Sequence, residues 1–225
     1  MKNYIFSILF ICFTGVSVGQ INEIGVVFGG SNYIGDIGRT NYIYPSAIAG
    51  GLIYKWNMNP RIALRGNLSI IPIEAKDSQS ENTVRIARNL KFNNTINELA
   101  LGIEYNFYEY DLSNPDKSST PYILLQAAAI NYKNVSSEVT VGTYNYSRKT
   151  TFSIPFGVGF KGALSGSFAY AIETKFTYLL EDDLDYSTKR ISSLNFGNNT
   201  NDWYVFTGIS VVYTFGRPAC YSEPK

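Results

Sequence analysis

The feature that most constrains this chain is a period of two, repeated in segments of roughly ten residues from Ile21 onward. One segment carries Ile48, Gly50, Leu52, Tyr54 and Trp56 on one side and Ala47, Ala49, Gly51 and Lys55 on the other. The next sets Ile62, Leu64, Leu68 and Ile70 against Ala63, Arg65, Asn67 and Ser69. Another sets Leu99, Leu101, Ile103, Tyr105 and Phe107 against Glu98, Ala100, Gly102, Glu104 and Asn106. The same alternation opposes Phe152, Ile154, Phe156, Val158 and Phe160 to Ser153, Gly157, Gly159 and Lys161. It then opposes Phe168, Tyr170, Ile172, Phe176 and Tyr178 to Ala171, Glu173, Lys175 and Thr177. In the last segment Trp203, Val205, Ile209, Val211, Tyr213 and Phe215 face away from Gly208, Ser210 and Thr214. Segments near 21–31 and 121–134 alternate less cleanly, and the total is about eight strands, with ten short ones as the alternative.

Each strand therefore has one apolar and one mixed face. A soluble sandwich would turn the apolar face inward. A membrane barrel would turn it outward to lipid and line its lumen with the small and polar face. The barrel fits better. Apolar faces end in aromatics, as interfacial girdles do. The opposite face is Gly- and Ala-rich, and charged residues are only 16% of the chain, against about 25% in soluble domains. Connections alternate in length as well. Asn57-Met58-Asn59-Pro60 and Ser165-Gly166-Ser167 are tight, the connection near 109–120 is intermediate, and polar stretches near 32–45, 76–94, 135–149 and 181–201 are long. The expected fold is all-β: an eight-stranded antiparallel transmembrane barrel of the outer membrane, with a filled lumen.

The first residues read as a secretory signal peptide over 1–19. Lys2 gives the positive start, Tyr4 to Phe13 is apolar apart from Ser7, and Ser17-Val18-Gly19 suits signal peptidase. The barrel then occupies 20–215 and a periplasmic tail 216–225. An even strand number puts both termini in the periplasm. Cleavage removes Cys12 and leaves Cys220 as the one cysteine, so the mature monomer cannot form an internal disulfide. In an oxidising compartment that thiol either bridges to a partner or is incidental.

A barrel of eight strands is narrow enough for side chains to fill. The inward set includes Lys55, Arg65, Lys161 and Lys175 with Glu98, Glu104 and Glu173. Near-equal numbers of opposite charges point to a paired network that plugs the lumen; an ion or solute pathway is the alternative. Chemistry is thin. The chain has no histidine, which removes every imidazole-dependent triad or metal site. Ser153, Lys161 and Lys175 are the nearest catalytic raw material, yet no spacing singles them out. The formal net charge of +1 offers no field for nucleic acid. No cofactor or metal site is expected. The acidic run Glu181-Asp182-Asp183-Leu184-Asp185 lacks EF-hand spacing and reads as a solvated or partner-facing loop. Arg85, Arg88 and Lys91 read as a solvated basic loop, or one that meets anionic lipopolysaccharide.

Four stretches carry a family resemblance. They are Gly29-Gly30-Ser31-Asn32-Tyr33-Ile34-Gly35-Asp36, Asn59-Pro60-Arg61-Ile62-Ala63-Leu64-Arg65, Tyr178-Leu179-Leu180-Glu181-Asp182-Asp183-Leu184-Asp185-Tyr186-Ser187, and Tyr213-Thr214-Phe215 followed by Pro218-Ala219-Cys220-Tyr221. Together the chain resembles the PorG-type outer-membrane β-barrel of the type IX secretion system. The resemblance implies a non-catalytic part of a secretion machine that tethers or assembles a periplasmic ring, built from a lipoprotein and an associated ring subunit, at the outer membrane. It would place Arg217, Pro218, Cys220 and Tyr221 at the partner-binding tail, with Cys220 bridged to or packed on the ring lipoprotein. A general small barrel, envelope-stabilising or ligand-binding through its long loops, is the other reading; solute transport and catalysis come behind it.

Overall fold

Eight antiparallel strands, hydrogen-bonded in sequence order, close into a ring by the pairing of the last with the first. The computed structural model describes residues 21–111, 118–140, 142–188, 191–196 and 201–216. The strands are β1 (Ile21–Ile34), β2 (Ala47–Asn59), β3 (Ile62–Lys76), β4 (Lys91–Asn106), β5 (Ser119–Thr140), β6 (Thr143–Ser165), β7 (Phe168–Leu179) and β8 (Trp203–Phe215). One short helix, α1 (Thr83–Arg88), lies between β3 and β4. Among the described residues no helix is long and apolar enough to cross a membrane; the crossing elements are the strands.

Local chemistry sets the tight end. The Asn59 Oδ1 accepts from the amides of Arg61 and Ile62, both at 2.8 Å, and Pro60 fixes the bend between β2 and β3. Gly166 turns β6 into β7 with φ of +53°, a conformation that side chains resist. These turns and the ends of β1 and β8 share one end of the barrel, here the turn end. The β4–β5 connection also lies there, while the β1–β2, β3–β4 and β7–β8 connections gather at the other, the loop end, beside the β5–β6 turn.

Alternation settles which side of the wall is which. Leu52, Leu68, Leu99, Leu101, Ile103, Leu125, Val158, Ile172 and Ile209 are exposed on the outside. Aromatics border this band. Tyr54, Trp56, Tyr105, Phe107, Phe168, Tyr213 and Phe215 lie toward the turn end; Phe152, Phe156, Phe176, Tyr178 and Trp203 lie toward the loop end. Their rings pack on one another, as in Tyr178–Trp203 at 4.9 Å and Phe168–Tyr213 at 5.5 Å between centroids. A continuous exposed apolar surface of this kind is tolerated only against lipid.

Two features depart from the sequence expectation. Residues 135–149, expected as a long loop, are strand: β5 and β6 stay paired up to Thr140 and Thr143 and form a two-stranded ribbon that stands beyond the barrel. The run holds Val135, Val139, Thr140, Thr143, Tyr144 and Tyr146, residue types that favour extended pairing. The lumen is also less uniformly polar than expected. Its loop-end half is an apolar core of Val27, Ile71, Ile73, Phe92, Ile96, Ile130, Leu179 and Phe206, closed over by Leu184 from the β7–β8 connection. Charged side chains concentrate in the remaining part.

If the band faces acyl chains, depth decides the cost of a charge. Leu101 and Val139 are similarly exposed, at 63% and 59%, but only Leu101 lies within the band. Leu101→Arg should cost about 2–4 kcal/mol, read from urea unfolding in liposomes. Val139→Arg, on the ribbon, should stay within about 0.5 kcal/mol.

Candidate functional site

Strand parity sends Lys55, Arg65, Glu98, Glu104, Lys161, Glu173 and Lys175 into the lumen, none more than 4% exposed. Glu104 on β4 is the hub. Its carboxylate meets Lys161 Nζ at 2.5 Å, Lys55 Nζ at 3.1 Å and Arg65 Nη1 at 3.2 Å. Arg65 also forks onto Glu173 across the barrel, with Nη1–Oε2 at 2.7 Å and Nη2–Oε1 at 2.8 Å. Such bidentate geometry is the strongest form of the pair. Lys175 Nζ lies 2.6 Å from Glu98 Oε1 in a separate pair.

Several members were not legible as part of this set. Glu23 is buried beside Lys55 at 3.8 Å, which makes the lumenal acids Glu23, Glu98, Glu104 and Glu173 match Lys55, Arg65, Lys161 and Lys175 one for one. Tyr122 donates to Glu173 at 2.7 Å and Tyr204 to Glu98 at 2.5 Å. Asn67 accepts from Arg65 Nε at 2.9 Å and from Gln126 at 3.1 Å. The signal was register: Glu23 stands opposite Lys55 when β1 and β2 are paired. A void against Glu173, Lys175 and Phe206 holds about 10 Å³, room for about one water. This arrangement has charge without a path. Ser153 is buried in the same wall, yet Lys161 and Lys175 are each spent on a glutamate.

The loop end is organised by buried carboxylates. The acidic run expected to be solvated is partly buried, with Leu184 and Asp185 wholly so. Asp183 accepts from Tyr132, from Asn134 at 2.6 Å and from Lys149 at 2.5 Å. Asp202 accepts from Tyr33 and from the Leu184 amide at 2.9 Å. Asp77 accepts from the Gly38 amide at 2.8 Å and the Leu90 amide at 3.0 Å, and pairs with Arg88 at 2.8 Å. Arg85 donates to the carbonyls of Gly38 and Gly35, and Arg88 to that of Asp36. The two arginines, half-buried, therefore stitch the β1–β2 connection to α1. Between the ribbon and the β7–β8 connection lies an open polar groove of about 570 Å³, bordered by Asn134, Ser147, Lys149, Glu181, Asp183 and Asn195.

The carboxylates of this cap are tuned in opposite directions. Burial, and the charge of Asp185, push the Asp202 carboxyl well above its usual range. Burial and the charge of Asp36 raise Asp185, against the pull of the Ser187 amide. Burial also opposes charge on Asp77, but the Arg88 guanidinium and two amides hold its carboxyl below the ordinary range. The expected 1–19 leader and the tail residues Arg217, Pro218, Cys220 and Tyr221 lie outside the described residues.

A family model described as "Domain of unknown function (DUF6089)" matches residues 2–224. No curated protein matches the sequence. Among solved structures the chain is similar to Ail, the attachment invasion locus protein of Yersinia pestis, solved with the heparin analogue sucrose octasulfate, at 14% identity and TM-score 0.47, covering 88% of this chain and 99% of that one. The N-terminal β-barrel domain of Pseudomonas aeruginosa OprF matches at 12% identity and TM-score 0.46, covering 88% and 98%. A major outer membrane protein from Thermus thermophilus matches at 11% identity and TM-score 0.47, covering 88% and 99%.

Removing the hub carboxylate strands three cations in a dry interior. Glu104→Gln should therefore cost about 3–5 kcal/mol of unfolding free energy, measured as a shift in urea midpoint in lipid. For the cap, Asp185 and Asp202 bind protons more tightly in the fold than in the unfolded chain. Their contribution is present at low pH and is lost as pH rises through their raised folded values. The facing groups are Tyr33, Asp36, Asp182 and Arg88. Unfolding free energy in lipid should therefore fall as pH rises above the ordinary carboxylate range, and Asp185→Asn should flatten that slope.

Proposed function

This chain belongs to the DUF6089 family, and on that premise we propose that it is a non-catalytic component of the type IX protein secretion machinery, embedded in the outer membrane. In this reading it anchors or assembles the periplasmic lipoprotein ring and its associated subunit, and both chain termini face the periplasm. The observation that carries the proposal is the balanced charge network around Glu104, which fills the lumen and leaves the barrel's work to its two ends. The four sequence stretches that resemble PorG-type barrels supply the choice of machine. The turn end, where β8 finishes at Phe215, is the side offered to the ring.

A second reading has its own support. The polar groove beneath the β5–β6 ribbon is bordered by amides, hydroxyls and charges of both signs, the donor set that a neutral, hydroxyl-rich surface ligand would use. A general barrel that binds such a ligand through its loops would tolerate loss of the tail.

Affinity purification from detergent-extracted envelopes separates the two. The full chain should bring down a periplasmic lipoprotein and a second ring subunit, identified by mass spectrometry, and deletion of 216–225 should abolish their recovery. Recovery of neither from the full chain contradicts the secretion reading. For the covalent version of the contact, Cys220→Ser should remove a high-mass band on a non-reducing gel of the envelope.

A further inference from the structure

We propose that the outer wall across β3 to β6, at the loop-end border of the apolar band, carries a docking site for one bilayer lipid with a net-negative, phosphate-bearing headgroup. The β4–β5 ladder runs from Asn106–Tyr122 only as far as Asn97–Asn131. Its neighbours continue further, β3–β4 to Lys76–Lys91 and β5–β6 to Thr140–Thr143. The wall therefore has a notch above Asn97 and Asn131. Asn94 seals its inner side: Nδ2 donates to the carbonyls of Lys133 at 2.7 Å and Leu184 at 2.9 Å, and Oδ1 accepts from the Lys133 amide at 3.2 Å. Tyr186 reaches in to donate to the Asn93 carbonyl at 2.8 Å. The notch is a recess, not a door into the lumen.

The recess holds about 450 Å³ and is lined by Pro72, Glu74, Thr95, Lys133, Arg148 and Tyr186 among others. Directly below it, reaching from β2 to β6, lies an apolar trough of about 690 Å³, between Leu52, Leu68, Ile70 and Leu99, where Gly50 and Ala129 leave the floor low. Ile70 and Pro72, Asn131 and Lys133, and Thr150 and Arg148 are successive outward positions on β3, β5 and β6. The two depressions therefore form one groove, greasy within the band and cationic at its rim.

Charge selects the headgroup. Lys133 and Arg148 are register partners. The Lys133 ammonium lies 4.0 Å from the Tyr146 ring centroid, and Arg148 Nη1 donates to Asn131 at 2.8 Å. Among the described residues neither has a carboxylate within ion-pair distance, while Glu74 is engaged by Lys76 at 3.7 Å. Two uncompensated cations above an acyl-sized trough complement a phosphate carried on chains.

The test uses native mass spectrometry of the mature protein released from micelles doped with phosphatidylglycerol, phosphatidylcholine or glycerol phosphate. The wild type should retain one phosphatidylglycerol and no phosphatidylcholine. Lys133→Gln with Arg148→Gln should lower retention at least about tenfold, and Ala129→Phe, which fills the trough and spares both cations, should lower it similarly. Arg61→Gln, at the turn end, should leave it unchanged, and an unchanged heat-modified gel band should show that each variant is folded. Equal retention by the double variant, equal binding of phosphatidylcholine, or equal binding of chain-free glycerol phosphate overturns the proposal.

Discussion

Hydrocarbon offers no partner to a peptide N–H or C=O, and this one constraint organises the molecule. A sheet placed there must have no edge. Pairing of β1 with β8 removes the last two edges within the band. Once the ring is closed, every strand must give one face to lipid and the other to the lumen. The outward Leu, Ile, Val and aromatic residues and the inward Gly, Ala and charged residues follow from that division. Where the wall rises beyond the band the constraint relaxes, and it is there that the β4–β5 ladder stops and the β5–β6 ribbon continues alone.

The inside obeys a second rule of the same origin. A charge shut away from water must be met by an opposite charge and by hydrogen bonds. Glu104 among Lys55, Arg65 and Lys161, and Glu173 held by Arg65 and Tyr122, satisfy it. Nearer the loop end isoleucines and aromatics fill the lumen around the Glu98–Lys175 pair, whose two charges meet each other. The barrel is thus a solid post rather than a pipe.

Much of this was legible in the sequence because a period of two fixes the face of a side chain as soon as the strand is recognised. Lys161 and Glu173 needed nothing more than parity. Pairing partners were not legible, since Arg65 meets Glu173 across 108 positions of chain, and parity says nothing of which strands face each other. Glu23 was hidden by the weak alternation of β1, in which Gly25, Gly29 and Gly30 dilute the pattern. The acidic run 181–185 looked solvated for a related reason: Asp183 is held by Tyr132, Asn134 and Lys149, which come from strands far away in sequence. Polarity was read as loop over 135–149, where backbone pairing beyond the membrane permits a polar strand.

The alternating stripe of every strand faces acyl chains. Spin labels placed singly along 97–106 of β4, in bilayers, test it through collision with oxygen and with a water-soluble nickel chelate. Leu99, Leu101 and Ile103 should give high oxygen and low nickel access, with low access to both at the inward Ala100 and Asn106. High nickel access at Leu99, Leu101 and Ile103 would place the stripe in water and contradict the account.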